Sequence, residues 1–253
     1  MMKKPSLDYF SVLVIGEKPD DIISNFDEML ELEEPYVLYQ HKNKNQYRKQ
    51  KIESYKQFLN TFDDTKSKNI IIDKINELKK MSDEQYYNSL SELYEFDKDK
   101  NILSMDNPNG RWITCEKGGR IYVDKLKDKT GKNISSGIVG EIDWLNIHRN
   151  IDSVNLYSRT WDLCVNKAEP KTGEDHVILN NMKSYQPYFK NFVGGKEQYV
   201  NYNTSFWTNA IVIDGEWIDI ENKDYSDWII NFYDNFISKL GHNELVTIYE
   251  CTK

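Results

Sequence analysis

The alternation of apolar and polar positions predicts regular structure at the beginning of the chain. Residues 9–15 (YFSVLVI) form a nearly continuous apolar run rich in β-branched side chains, which predicts a buried strand. Residues 18–21 (KPDD) have the proline and the acidic side chains that favour a helix start, and apolar side chains within residues 22–30 recur on one helical face. We expect Pro35 to end this helix before a second strand at residues 36–39.

The end of the chain shows equally clear patterns. Residues 209–213 and 216–220 are strand-like and flank Asp214-Gly215, a dipeptide that strongly indicates a two-residue hairpin. Residues 224–240 carry aromatic and aliphatic side chains at helical spacing, which predicts an amphipathic helix. Residues 245–249 (LVTIY) are typical of a final strand.

The centre of the chain changes character, because residues 43–95 are highly charged and have helical periodicity. Residues 82–85 (SDEQ) have the spacing of a capping box, in which serine and glutamine cap each other's backbone, so we expect a helix over residues 83–94. Residues 97–110 are expected to be a loop, and residues 138–205 show only weak alternation.

The two ends together give the order strand–helix–strand and then strand–strand–helix–strand. This order predicts an α+β fold of the ferredoxin-like type, in which one antiparallel sheet carries helices on one face. We expect a single domain over residues 1–253, with sheet elements in residues 8–40 and 106–253. A long, largely helical insertion over about residues 43–105 would interrupt it.

Residues 106–120 (DNPNGRWITCEKGGR) concentrate turn-forming residues around one tryptophan. The simplest interpretation is a hairpin, in which Trp112 fills the core and Gly118-Gly119 makes the return turn. The functional interpretation depends on Arg111 and Arg120, whose guanidinium groups would bind a phosphate or a partner's carboxylate. The candidate ligand-binding or partner-binding residues are Asn107, Asn109, Arg111, Trp112, Gly118, Gly119 and Arg120.

Three motifs in this order characterise the chain: residues 9–16 (YFSVLVIG), the NPNGRW and GGR segments within residues 107–120, and residues 245–251 (LVTIYEC). In this respect the chain resembles a protein family encoded largely by phages and prophages, which has no assigned activity. The resemblance implies a phage context and supports the predicted fold, and it transfers no catalytic residue. Family members usually have aromatic residues where this chain has Ile113 and Ile121, so we do not expect an aromatic-walled pocket at the motif.

Charge and cysteine content narrow the range of partners. The formal net charge is −8, which makes direct nucleic-acid binding unfavourable, and the basic run over residues 42–56 is expected to be a solvated helix face. The three cysteines are far apart, so we expect neither a disulfide framework nor a zinc site. The apolar run at residues 10–15 is too short for a signal peptide or a membrane span, which predicts a cytoplasmic protein.

No catalytic constellation is visible in the sequence. The four histidines are scattered, no serine-hydrolase elbow or complete phosphate-binding glycine motif occurs, and no cofactor or metal is expected. Glu141, Asp143 and Asp152 would be the only basis for a metal-dependent nuclease.

We therefore expect a non-enzymatic interaction protein that binds a host protein, in the concrete form of an inhibitor of a host antiviral defence system. Its binding surface would be the helical insertion or an acidic face of the protein. The first alternative is a small-ligand or nucleotide-sequestering protein that uses Arg111 and Arg120. The second alternative is the metal-dependent nuclease.

Overall fold

A computed structural model describes residues 9–59, 65–119, 125–182, 186–221 and 223–252. The chain forms two compact units. Unit 1 comprises residues 1–28 and 109–253, and unit 2 comprises residues 29–108. The mixed α+β class is thereby confirmed, since each unit contains both helices and strands.

The strands are numbered in chain order. They are β1 (Tyr9–Ile15), β2 (Glu31–Tyr39), β3 (Glu95–Phe96), β4 (Ile102–Asp106), β5 (Thr114–Lys117), β6 (Ser136–Ile138), β7 (Ala210–Ile213), β8 (Glu216–Asp219) and β9 (Leu245–Thr252). The helices are α1 (Pro19–Ser24), α2 (Lys44–Leu59), α3 (Thr65–Lys80), α4 (Asp83–Ser89), α5 (Trp144–Ile147), α6 (Ile151–Cys164), α7 (Gly173–Met182), α8 (Gln186–Phe189), α9 (Gly195–Thr204) and α10 (Tyr225–Asn235).

Strand β1 lies in the middle of the unit 1 sheet, whose order is β5-β9-β1-β7-β8, with β6 also paired to β9. Leu13 packs with Phe232 of α10 on one face of the sheet, and Val12 packs with Ile23 of α1 on the other. The expectation of helices on one face is therefore wrong. Alternate residues of a strand point to opposite faces, so a continuous apolar run such as β1 requires cover on both sides.

The expected all-antiparallel sheet is also wrong. Strands β1 and β7 are parallel, with Val12 opposite Ala210, while β9 and β8 pair antiparallel with β1 and β7 respectively. A parallel neighbour needs a long connection instead of a hairpin, and most of unit 1 and all of unit 2 lie between these two strands in sequence.

Ser11, the only polar residue within β1, has a specific partner in this parallel pair. The side-chain oxygen Oδ1 of Asn209 accepts hydrogen bonds from the backbone N–H of Ser11 at 2.8 Å and from its hydroxyl at 2.9 Å. Both residues are buried. The Oδ1 of Asn209 accepts both donors of Ser11, so this pair aligns the start of β7 with β1.

Strand β2 belongs to a separate sheet in unit 2, of order β2-β4-β3, and this corrects the expected sheet elements in residues 8–40. The first helix ends at Ser24 instead of reaching Pro35. Pro35 lies inside β2, which is an edge strand, where proline is tolerated because one side of the strand needs no N–H donor. Its partner β4 lies where a loop was expected.

Unit 2 also contains the helices α2, α3 and α4 in the segment with helical periodicity, and α4 ends at Ser89 instead of residue 94. The capping box is confirmed: the hydroxyl of Ser82 accepts from the backbone of Gln85 at 3.0 Å, and the Gln85 side chain accepts from the backbone of Ser82 at 2.8 Å. Two small apolar clusters stabilise this unit, one centred on Tyr87 and Ile102 and one on Ile75 between α2 and α3.

The predicted C-terminal hairpin and final strand are confirmed, and the predicted helix is present but ends at Asn235 instead of Leu240. Asp214 and Gly215 have φ angles of 52° and 76°, the left-handed values that a two-residue turn between β7 and β8 requires. Helix α10 begins after Asp224, whose carboxylate accepts from the backbone of Asp227 at 2.8 Å, and it places Trp228 and Phe232 in the core.

Helices α5 to α9 fill the region for which the sequence indicated only weak alternation. Trp161 of α6 and Tyr199 of α9 lie at the centre of a third apolar cluster in unit 1, with ring centroids 5.4 Å apart. Arg159 and Asp175 join α6 to α7 through two hydrogen bonds, from Nε to Oδ1 at 3.0 Å and from Nη2 to Oδ2 at 2.5 Å.

The described residues contain one disulfide, which the spacing of the three cysteines did not indicate. Cys115 of β5 and Cys251 of β9 occupy directly opposed positions of an antiparallel pair and form a disulfide. They are 136 residues apart in sequence, so only strand pairing brings them together. Cys164 is a free cysteine and is buried in α6.

Candidate functional site

Within the motif of residues 106–120, Trp112 packs into the apolar core of unit 1. The indole is only 9% exposed, and its Nε1 donates to the carbonyl of Ile23 at 3.2 Å. The backbone N–H of Arg111 donates to the carbonyl of Phe26 at 2.7 Å. The prediction that Trp112 fills the core is confirmed, and its cluster covers the face of the sheet where α1 lies.

Arg111 is directed to its own loop. Its Nη1 donates to the carbonyl of Gly110 at 2.8 Å, and the side chain is partly buried. Asn109 is exposed nearby in sequence, whereas Asn107 belongs to unit 2. Arg120 lies outside the described residues, so the proposed pair of arginines stays a prediction.

Gly118 and Gly119 follow β5 and run close along β9. Both have left-handed φ angles, 79° and 58°, and the N–H of Gly118 donates to the carbonyl of Ile248 at 2.8 Å. A Cβ atom at Gly119 would lie 2.2 Å from the Cβ of Glu250. These glycines therefore permit close backbone approach to β9, which is the described partner of β5. The return strand of the predicted hairpin would begin at residues 120–124, outside the described residues, so the hairpin stays a prediction.

A second feature, which we call the basic hairpin, is formed by helices α2 and α3. The two helices contact each other, and their sequences contain ten lysine or arginine residues and three carboxylates. Only Ile52, Ile71 and Ile75 are fully buried at their seam, so most of both helices faces solvent. This concentration of positive charge contrasts with the net charge of −8 for the whole chain.

Some of these cations have carboxylate partners. Arg48 donates to Asp83 at 2.6 Å, and Lys44 forms an ion pair with Glu84. Other lysines of the basic hairpin are exposed; these are Lys49, Lys51, Lys66, Lys74, Lys79 and Lys80.

Apolar side chains are interspersed with the lysines of the basic hairpin. Phe58 is 49% exposed, Ile70 is 50% exposed and Ile72 is 41% exposed. Tyr55 lies beneath Lys51, whose Nζ is 5.0 Å from the ring centroid. These exposed apolar side chains give the basic hairpin area that a protein partner would bury.

Sequence reasoning identified the basic run in α2 but did not join it to the lysines of α3. The signal was present, since residues 65–80 also contain five lysines. The sequence did not show that α3 packs against α2. This packing combines the two basic stretches into one surface.

The acidic residues of the nuclease hypothesis have local structural roles. The carboxylate of Asp143 accepts a hydrogen bond from the side chain of Asn146, and Asp152 lies in the first turn of α6. Among the described residues, no group of three or more histidine, cysteine, aspartate or glutamate side chains is placed to hold a metal ion.

His148 is the histidine with the clearest perturbation. Its ring stacks on Tyr233 with centroids 4.0 Å apart, and its Nδ1 accepts from the backbone of Phe206 at 3.1 Å. Burial, and secondarily the positive charge of Arg149, lowers the pKa of His148 to about 4, while Asp234 opposes this shift. The imidazole is thus neutral near pH 7 and supports the core.

The chain matches no protein-family model, no curated protein and no solved structure. Within the part of the chain that the structure describes, no helix combines the length and the apolar character needed to cross a bilayer.

Proposed function

We propose that this protein is a non-enzymatic interaction protein whose basic hairpin binds an acidic surface of a host protein. The observation that carries the proposal is the concentration of exposed lysines on α2 and α3 in a chain whose net charge is −8. Complementary charge guides two proteins together and penalises wrong partners. The basic hairpin belongs to the helical insertion, which is one of the two binding surfaces that the sequence suggested; the other was an acidic face.

A protein partner is favoured over nucleic acid for two reasons. Phe58, Ile70 and Ile72 add apolar area that a phosphate backbone would not bury. The acidic remainder of the chain would also repel a long polyanion.

The resemblance to phage- and prophage-encoded proteins suggests the biological form of this activity. The protein would act in the host cytoplasm and inhibit a host antiviral defence system. It would do so by covering an acidic functional surface of one component, without chemical turnover.

Reversal of charge on the basic hairpin tests the proposal. The triple variant Lys49→Glu, Lys66→Glu and Lys74→Glu changes exposed side chains and leaves the buried seam intact. Affinity capture from nuclease-treated host lysate should recover a partner with the unmodified protein. The purified partner should bind the triple variant about tenfold or more weakly, because the complementary charges are lost.

A matched control carries the same charge change on unit 1, as Lys129→Glu, Lys171→Glu and Lys190→Glu, all exposed. This variant should retain the partner. Equal binding by both triple variants would contradict the proposal. So would capture that depends on nucleic acid, or a mobility shift of random duplex DNA that the basic hairpin variant abolishes.

A further inference from the structure

A cavity of about 400 Å³ opens among helices α6, α7, α8 and α9 of unit 1. This volume lies within the range of small-molecule sites in proteins. The lining residues in the described part of the chain are uncharged; they are Leu156, Tyr157, Thr160, Ile178, Asn181, Met182, Tyr188, Tyr199 and Asn203. We call it the aromatic cavity.

Three tyrosine rings form part of its wall. Tyr157 and Tyr199 meet edge to face with centroids 5.9 Å apart, and Tyr188 lies 6.3 Å from Tyr199 in a similar arrangement. Their rings are anchored by the third apolar cluster of unit 1. In their observed positions, the tyrosine rings present faces and edges that a flat ligand can contact.

Some polar side chains of the wall are hydrogen-bonded to other parts of the protein, and others are not. The Asn203 side chain is already hydrogen-bonded, because its Nδ2 donates to the carbonyl of Tyr199 at 2.7 Å. Thr160 donates to the carbonyl of Leu156 at 2.8 Å. By contrast, the side chains of Tyr157 and Asn181 form no hydrogen bond with any residue in the described parts of the chain.

We propose that the aromatic cavity binds a neutral, planar aromatic or heteroaromatic molecule. Aromatic walls favour ring stacking, and the Tyr157 hydroxyl and Asn181 amide supply a donor and an acceptor for one or two ring substituents. Among the described residues no charged side chain lines the cavity to meet an ionised group, so we expect neutral ligands to be preferred. The site is separate from the basic hairpin in unit 2.

Titration of the full-length protein with indole, adenine and benzamide, followed by NMR of ¹³C-labelled methionine methyl groups, tests the proposal. Met182 lines the aromatic cavity, whereas Met29, Met81 and Met105 belong to unit 2. We expect the Met182 signal, assigned from a Met182→Leu variant, to shift with an apparent Kd below about 1 mM for at least one of them. The unit 2 signals should not move. Benzoate, the charged isostere of benzamide, should bind about tenfold or more weakly than benzamide.

Two tryptophan substitutions check the location. Leu156→Trp, at a position 51% exposed, would partly fill the cavity and should weaken binding about tenfold or more. Val177→Trp, at a position 58% exposed and outside the lining, should leave binding unchanged. The proposal is overturned if no neutral compound moves the Met182 signal, or if benzoate binds as tightly as benzamide. Unchanged affinity in a folded Leu156→Trp variant would also overturn it.

Discussion

Gly119 shows how a single residue determines which backbones can approach each other. Its φ of 58° is left-handed, and a side chain there would overlap Glu250 of β9. We predict that Gly119→Ala lowers the free energy of unfolding by about 2–4 kcal/mol, since backbone strain and steric overlap add together. Urea denaturation measures this loss.

Gly131 is the matched control, because its φ is 82° but no atom lies within 4 Å of an added Cβ. Gly131→Ala should cost about 1 kcal/mol, from backbone strain alone. Equal losses in the two variants would show that contact with Glu250 is not what requires glycine at position 119.

His148 gives a prediction for the pH dependence of stability. Its pKa is lowered to about 4 in the folded protein, so the unfolded chain binds a proton first as the pH falls. Its contribution to stability is therefore complete above about pH 6.5 and declines as the pH falls toward 4. We expect this contribution to fall by about 1–2 kcal/mol between pH 7.5 and pH 5.

The measurement compares the urea stability of the unmodified protein with that of His148→Asn at both pH values. Asparagine retains an acceptor for the N–H of Phe206 but does not titrate. The variant should lose part of the pH dependence, because the other titrating groups remain. Identical pH dependence in the two proteins would contradict a depressed pKa at His148.

At the scale of elements, the Cys115–Cys251 disulfide ties β5 to β9, which in turn pairs with β1. With the disulfide intact, Cys164 is the single free thiol. Thiol titration in denaturant should therefore find one thiol per chain before reduction and three after it. Three thiols before reduction, in protein purified without reductant, would contradict the pairing.

The ion pair between Arg159 and Asp175 ties α7 to α6. The Asp175 carboxylate accepts hydrogen bonds from the Arg159 guanidinium and from the backbone N–H of Lys171. These hydrogen bonds hold the pKa of Asp175 well below its usual range. A carboxylate with a depressed pKa stabilises the fold above the pKa it has when unfolded, and this stability is lost on acidification. We predict that Asp175→Asn lowers the urea concentration at which half of the protein is unfolded at pH 7.

Glu174→Gln is the control for Asp175→Asn, because Glu174 is the exposed neighbour in the same helix. Its effect should be within about 0.5 kcal/mol, as for most surface substitutions. The prediction is wrong if the two variants have the same midpoint at pH 7.

At the scale of the whole molecule, the tryptophans distinguish the two compact units. All six tryptophans lie in residues 109–253, so tryptophan fluorescence follows unit 1 alone, whereas circular dichroism at 222 nm follows the helices of both units. Each unit has its own apolar clusters, and those of unit 2 are smaller. We expect the dichroism to begin to change at lower urea than the fluorescence. Coincident curves with one midpoint would contradict separate unfolding.

Local sequence patterns were sufficient to predict some elements of the fold and the place of Trp112 in the motif of residues 106–120. Asp214-Gly215 predicted its hairpin because the turn depends only on left-handed backbone angles at those two residues. Ser82 and Gln85 predicted a helix start for the same local reason. Trp112 was correctly placed in the core, since a large indole next to turn residues has few other stable locations.

Other parts depended on contacts between distant segments. The disulfide between Cys115 and Cys251 exists because β5 and β9 are aligned in register, which no spacing in the sequence indicates. The basic hairpin needs α3 beside α2, and the aromatic cavity needs four helices from a region with weak patterns. Pro35 misled the prediction, because the same residue ends a helix or occupies an edge strand depending on its neighbours.

The sequence by itself determined the first strand, the C-terminal hairpin with its turn residues, the last strand and the place of the central tryptophan. Only the tertiary structure decided that β1 is covered on both faces, that β2 joins a second sheet and that the lysines of α2 and α3 form one surface. The physical reason is the separation along the chain of the residues that each interaction joins. Backbone angles and capping act over a few residues, whereas strand pairing and burial join residues far apart in the chain.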